Sequence, residues 1–184
     1  MIITFTGAQS TGKSTLLDKC TYDGRFNYYS FVPEITRSLK KKYNLTINEN
    51  GDEYTQLFCI NSHLENYLSH KDSKVVLDRC ALDALVYTTY QYHTGKISEW
   101  VLEYATNLFD SLKDKYDIIF YTEADIDLVD DGERSSSNEF RDTIVKLFEE
   151  AIDHYNLKVV RLKGTVEERM ATIYKTLDKI NYGK

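Results

Sequence analysis

The sequence predicts a three-layer α/β fold built on a five-stranded, mostly parallel sheet. Short apolar runs rich in β-branched residues recur between long stretches of helical spacing, and no Pro/Gly/Ser linker divides them. At 184 residues the chain is long enough to bury a core without a disulfide or metal staple.

The first strand is expected over residues 2–6, IITFT, which run straight into Gly7 and a polar loop before Leu16 and Leu17 open a helix. A second apolar run, residues 28–32, stops at Pro33, whose fixed φ and missing donor suit a strand end. Residues 74–77, 117–121 and 157–162 are three more apolar runs too short for helices. Four stripes at helical spacing lie between and after them. Tyr54, Leu57, Phe58, Leu64 and Leu68 form the first, and Val101, Tyr104, Ala105, Leu108 and Leu112 the second, with Trp100 read as core beside them. Phe140, Ile144, Leu147 and Ala151 form the third; Val166, Met170, Ile173, Leu177 and Ile180 form the fourth. Ser136 with Glu139 and Thr165 with Glu168 have capping-box spacing, and Ser98 stands just before its stripe. Parallel neighbours need crossover connections, so helices are expected on both faces of the sheet. Residues 1–184 read as a single domain, with irregular segments at 40–52 and 123–138 that could cover a site.

Composition narrows the function. Lys and Arg total 23 against 29 Asp and Glu, a net charge of -6, which leaves no diffuse basic field for coating duplex nucleic acid. No apolar run approaches the ~20 residues of a membrane-spanning helix, so no membrane partner is expected. The opening apolar segment lacks a basic flank and a small-residue cleavage site, and is not read as a signal peptide. Cys20, Cys59 and Cys80 are odd in number and lack C-x-x-C spacing, which suits a reducing, cytoplasmic compartment. His63, His70, His93 and His154 show no metal-ligand pattern, and no His is assigned to catalysis.

Gly7-Ala8-Gln9-Ser10-Thr11-Gly12-Lys13-Ser14 fits G-x-x-x-x-G-K-[ST] without a mismatch, between an expected strand and an expected helix. The glycines let the backbone wrap a phosphate, and successive N–H groups at the helix start supply donors to it. Gly7, Gln9, Ser10, Thr11, Gly12, Lys13, Ser14 and Thr15 are therefore candidate contacts to ATP, with Lys13 on the β- and γ-phosphates and the Ser14 hydroxyl on Mg²⁺. GTPases, motors and small-molecule kinases share such a loop. A guanine-specific N-K-x-D element is absent, which disfavours a Ras-like GTPase.

Three further segments follow in order. Val32-Pro33-Glu34-Ile35-Thr36-Arg37 closes the second strand, and Val75-Val76-Leu77-Asp78-Arg79-Cys80 closes the third and leads into a helix carrying Asp83. Asp130-Asp131-Gly132-Glu133-Arg134 lies in the second irregular segment, seven residues before Arg141. Together with the phosphate loop, these segments resemble the P-loop kinases related to deoxyribonucleoside kinases and to the nicotinamide riboside kinase domain of NadR-type proteins, with their phage-encoded relatives. The match departs from the family's D-R-S element at Cys80, which replaces the serine.

The resemblance implies a P-loop NTPase fold with a lid at about 123–138. It implies Glu34 as general base, Asp78 as a holder of Mg²⁺, and Arg79 on the acceptor or the moving phosphoryl group. It likewise implies Arg134 as the lid arginine, with Arg141 second, Arg37 and Asp83 on the acceptor side, and Gly164 beside the adenine. Carboxylates at strand ends face the crevice where α/β sheets bind ligands, and a guanidinium delivered by a closing loop suits the charge of phosphoryl transfer. Each residue also has a plainer reading. Glu34 could be a helix-start carboxylate, Asp78 with Arg79 a buried ion pair, Asp83 a helix cap, and Arg134 a solvated charge.

The expected activity is a Mg²⁺-dependent ATP kinase that phosphorylates a hydroxyl of a small nucleoside or ribosyl acceptor. A nucleoside monophosphate kinase is the nearest alternative, with Arg37 and Arg79 holding the acceptor phosphate. A hydroxymethylated base in DNA is a further acceptor, disfavoured by the acidic balance. An NTP-operated switch, in which nucleotide orders residues 123–138, is the alternative from another class. The oligomeric state stays open, because the helix stripes could cover a sheet or a twin subunit.

Overall fold

The computed structural model describes residues 1–43, 45–47, 50–126 and 138–182, the side chains of 37–39, 41, 181 and 182 excepted. Arg134, the rest of its motif and Ser136 lie outside the described residues, as does the side chain of Arg37.

Strands and helices alternate as β1 (Ile2–Thr6), α1 (Lys13–Thr21), β2 (Ser30–Val32), α2 (Ile35–Tyr43), α3 (Glu53–His70), β3 (Val75–Asp78), α4 (Ala81–His93), α5 (Glu99–Leu112), β4 (Ile118–Thr122), α6 (Asn138–His154), β5 (Val159–Leu162) and α7 (Val166–Tyr182). The sheet order is β2-β3-β1-β4-β5 and every pairing is parallel. A sheet of this kind buries its central strands on both faces, and all residues of β1, β3 and β4 are buried.

Two cores flank it. Leu82, Leu85, Val101, Phe109, Ile144 and Phe148 from α4, α5 and α6 fill one face, and Leu16, Cys20, Met170, Ile173 and Leu177 from α1 and α7 fill the other. Three layers result. The expected stripes of α5, α6 and α7 supply these side chains, because a 3.6-residue repeat aligns them on one side of each helix.

Four local expectations need correction. Residues 28 and 29 are not strand: a 3₁₀ turn at Gly24–Phe26 and a bond from the Tyr29 N–H to the Phe26 carbonyl (2.8 Å) hold them in the preceding turn. Trp100 is 52% exposed, because Val101 rather than its neighbour faces the core. The α3 stripe is also misplaced, since Tyr54, Phe58 and Leu68 are exposed whereas Thr55, Gln56, Ile60, Ser62 and His63 are buried. That helix turns a largely polar face inward, where Gln56 accepts a bond from the Thr88 hydroxyl of α4 (3.1 Å). Residues 40–43, expected to be irregular, complete α2. Thr165 and Glu168 do form their reciprocal cap, with N–H bonds of 2.7 and 3.3 Å.

Candidate active site

β1 is followed by α1 on one face of the sheet, and its neighbour β3 by α4 on the other, so the two connections diverge and leave a crevice at the carboxyl ends of both strands. The phosphate loop occupies one side of it. Gly7 has φ 131° and a Cβ there would stand 2.7 Å from the Thr122 carbonyl and hydroxyl oxygens, so no side chain fits where the loop leaves β1. Gly12 caps α1 in the left-handed region at φ 83°, turning the chain into the helix whose first N–H groups point back at the loop.

The loop is pinned from beneath. The Thr11 hydroxyl donates to the Ala8 carbonyl (2.9 Å) and lies 2.6 Å from the Thr122 hydroxyl, which donates to the Thr6 carbonyl (3.0 Å). Arg169, 2% exposed in the first turn of α7, donates to the Thr11 carbonyl (2.6 Å), to the carbonyls of Gly164 (3.0 Å) and Glu123 (3.3 Å), and to the Asp125 carboxylate. Asp125 in turn accepts from the Gly164 N–H (2.5 Å). One guanidinium thus joins the phosphate loop to the turns after β4 and β5. Arg141 of α6, also buried, donates to the carbonyls of Ile126 (2.7 Å) and Ser10 (3.5 Å).

Lys13 is buried, with Nζ donating to the Gly7 and Ala8 carbonyls (2.7 and 2.6 Å) and the Thr11 hydroxyl (3.2 Å). These three acceptors match the three hydrogens of an ammonium. Burial, and then the nearby Arg79 charge, nevertheless lower its pKa to about 7. The amine is therefore poised between its two protonation states until an anion arrives.

The opposite wall is assembled from three elements. Glu34 stands between β2 and α2, and its Oε1 accepts from Arg79 Nε at 2.7 Å. Arg79 follows β3 with φ 76°, an uncommon conformation for a side-chain-bearing residue, while its N–H extends the β1 ladder to the Phe5 carbonyl (2.9 Å). Its Nη1 donates to Asp83 Oδ1 (3.1 Å). The other Asp83 oxygen accepts from the Thr6 hydroxyl (2.7 Å) and the Cys80 N–H (2.9 Å), closing a capping box at the start of α4. Asp83 thus serves as a helix cap and as a brace for Arg79. Burial works against the guanidinium charge, but Glu34 and then Tyr87, Asp83 and Asp78 hold it firmly protonated.

Asp78, the last residue of β3, is buried with Oδ1 unpartnered, and burial raises its pKa. A buried carboxylate oxygen without a protein donor at the end of β3 fits a hard cation that takes oxygen ligands. Mg²⁺ needs only one or two such protein oxygens when phosphates and water fill the remaining positions.

Sequence reading missed Thr122, Arg169 and Tyr87. The Tyr87 ring lies 5.5 Å from the Arg79 guanidinium carbon, and its hydroxyl donates to Gln9 Oε1 (3.1 Å). His63 of α3 is buried with Nδ1 unpartnered, and burial lowers its pKa to about 4, so the imidazole is neutral at physiological pH. The Asp83–Tyr87 spacing of four residues could have flagged Tyr87 as sharing a helix face with a site residue. Arg169 carries no comparable local signal.

The family described as "AAA domain" matches residues 2–169. No curated protein matches the sequence. Among solved structures, deoxyadenosine kinase from M. mycoides, with products dCMP and a flexible dCDP bound, has a TM-score of 0.71 at 15% identity, covering 98% of this chain and 100% of that one. The NadR protein in complex with NAD and AMP-PNP has a TM-score of 0.68 at 19% identity, covering all of this chain but 49% of that one. Thymidylate kinase from Ehrlichia chaffeensis has a TM-score of 0.64 at 20% identity, covering 96% and 98%. The backbone is therefore the P-loop fold shared by these nucleoside and nucleotide kinases. Among the described residues, no helix is long and apolar enough to cross a membrane.

Proposed function

From a chain that belongs to the AAA domain family and carries the fold of P-loop nucleoside kinases, we propose a cytoplasmic, Mg²⁺-dependent ATP kinase that transfers the γ-phosphoryl group to a hydroxyl of a small nucleoside or ribosyl compound. The observation that carries this reading is the Glu34–Arg79–Asp83 wall standing across the crevice from Lys13. A nucleotide switch needs the phosphate grip alone, whereas a hydroxyl acceptor needs a carboxylate and a guanidinium opposite it.

In this mechanism the loop N–H groups and Lys13 hold the ATP phosphates, and Ser14 with Asp78 would hold Mg²⁺, which supplies charge neutralisation when bound. Glu34, ion-paired with Arg79, orients the acceptor hydroxyl and takes its proton as the oxygen attacks the γ-phosphorus. The bond to the ADP oxygen breaks as the new one forms. Arg79 steadies the transferring group on the acceptor side, and Asp83 acts through Arg79 by holding its Nη1. Arg141, the second arginine of the lid motif, reaches the phosphate loop at Ser10. Arg134 is assigned to the phosphates and Arg37 to the acceptor on the resemblance alone.

ATP consumption measured against nucleosides, nucleoside monophosphates, nicotinamide riboside and hydroxymethylated DNA tests the reading. Turnover with a hydroxyl acceptor is expected, and Lys13→Ala should abolish it with the fold intact by circular dichroism. Turnover only with monophosphates would transfer Arg79 to acceptor-phosphate binding, and tight ATP binding without turnover on any acceptor would leave a switch.

A further inference from the structure

The third residue of the phosphate loop carries a side chain whose placement phosphate gripping by the backbone does not explain. Gln9 is 2% exposed, and its Nε2 has no hydrogen-bond partner among the described residues. A buried amide N–H left unmade is costly, and native structures keep few of them without a use.

The amide is also oriented. The Tyr87 hydroxyl donates its proton to Gln9 Oε1 at 3.1 Å, its ring lying 5.5 Å from the Arg79 guanidinium carbon. With Oε1 committed to Tyr87, the NH₂ end is the one left over. It sits on a loop where the neighbouring Ala8 carbonyl binds the Lys13 amine (2.6 Å) and the neighbouring Ser10 carbonyl meets Arg141 (3.5 Å). Arg141 Nε is a second buried donor without a partner at this stretch. Two unmade donors beside a buried amine describe a place that awaits anionic oxygens.

We propose that the Gln9 side-chain amide donates a hydrogen bond to an oxygen of the γ-phosphoryl group of ATP, held in that orientation by Tyr87. The inference rests on the kinase reading above. It deepens that reading by making Gln9 a sensor of the group to be transferred, linked through Tyr87 and Arg79 to the acceptor wall. Bound ADP, which lacks this group, gains nothing from the amide.

The test compares affinities for ADP and for a non-hydrolysable ATP analogue, with Mg²⁺, in the full chain. Gln9→Leu should weaken the analogue about tenfold and leave ADP within about twofold, one charge-assisted hydrogen bond's worth of discrimination. Tyr87→Phe keeps the ring over Arg79 and removes only the hydroxyl, and should give a smaller loss of the same γ-specific kind. Equal weakening of both nucleotides by Gln9→Leu would make the side chain a support of loop shape and overturn the proposal. An unchanged analogue-to-ADP ratio with a raised acceptor KM would overturn it in favour of acceptor contact. Failure of the wild-type protein to bind either nucleotide would sink the kinase reading itself, an outcome distinct from both.

Discussion

The phosphate loop is one run of residues, 7–14, shaped by its own backbone and the strand it leaves, whereas the wall facing it takes Glu34 from the end of β2, Arg79 from the end of β3 and Asp83 with Tyr87 from α4. The difference is one of how each holds its charges. The loop gathers N–H groups and a lysine that an incoming anion completes. The wall satisfies its charges internally, each carboxylate answering Arg79, so that a fixed array of dipoles is in place before the acceptor arrives. The first half should therefore respond to ligand and protons, and the second to removal of a partner.

The largest effect expected from this contrast lies in the wall. Glu34→Gln keeps an oxygen for Arg79 but removes the base, and should lower kcat about 10²–10⁴-fold with little change in ATP affinity. Unchanged turnover in steady-state assays would assign the proton to Asp78 or to no side chain. Arg169→Met should come next, because it deletes the guanidinium that ties the Thr11 carbonyl to Gly164, Glu123 and Asp125. A loss of about 2–3 kcal/mol in denaturant unfolding is expected, the half-exposed Asp125 keeping the cost below that of a fully buried pair. ATP affinity should fall with it while acceptor KM stays put, since the contact touches only the phosphate side. An acceptor KM that rose in step would show the two halves to be one unit.

The smallest and most specific effect is on protons. Lys13 stands at about 7 in the folded chain, against 10.5 for an ordinary lysine, chiefly through burial. Between those values the unfolded chain binds more protons than the native one, so this group makes the ligand-free protein more stable as pH rises through that window. ATP needs the ammonium. Binding at pH 8 should accordingly take up a proton, approaching about one per site, read by calorimetry in two buffers of different ionisation enthalpy. Zero uptake would mean that Lys13 is already charged and that its carbonyl contacts outweigh its burial.

Legibility in the sequence followed the range of the interactions. The stripes of α5, α6 and α7 were readable because apolar side chains at helical spacing meet an apolar sheet face. The stripe of α3 misled for the same reason inverted: its buried face meets polar groups of α4, as Gln56 meets Thr88, so exposed Tyr54 and Phe58 mimic a core. Glu34, Asp78 and Arg79 were legible as a set only through motif order. Nothing local says that Arg79 answers Glu34 and Asp83 rather than its neighbour Asp78. Tyr87 and Arg169 act across 78 and 158 positions of chain, and no spacing encodes such a meeting.

What the sequence determined by itself was the strand–loop–helix of the phosphate-loop pattern and the alternation that makes the sheet parallel, because both rest on backbone geometry and periodicity within a few residues. The tertiary structure alone decided which carboxylate holds Arg79, which guanidinium locks the loop and where the Gln9 amide turns. Those choices belong to electrostatics and hydrogen bonding between elements, whose distances exist only once the sheet has been assembled.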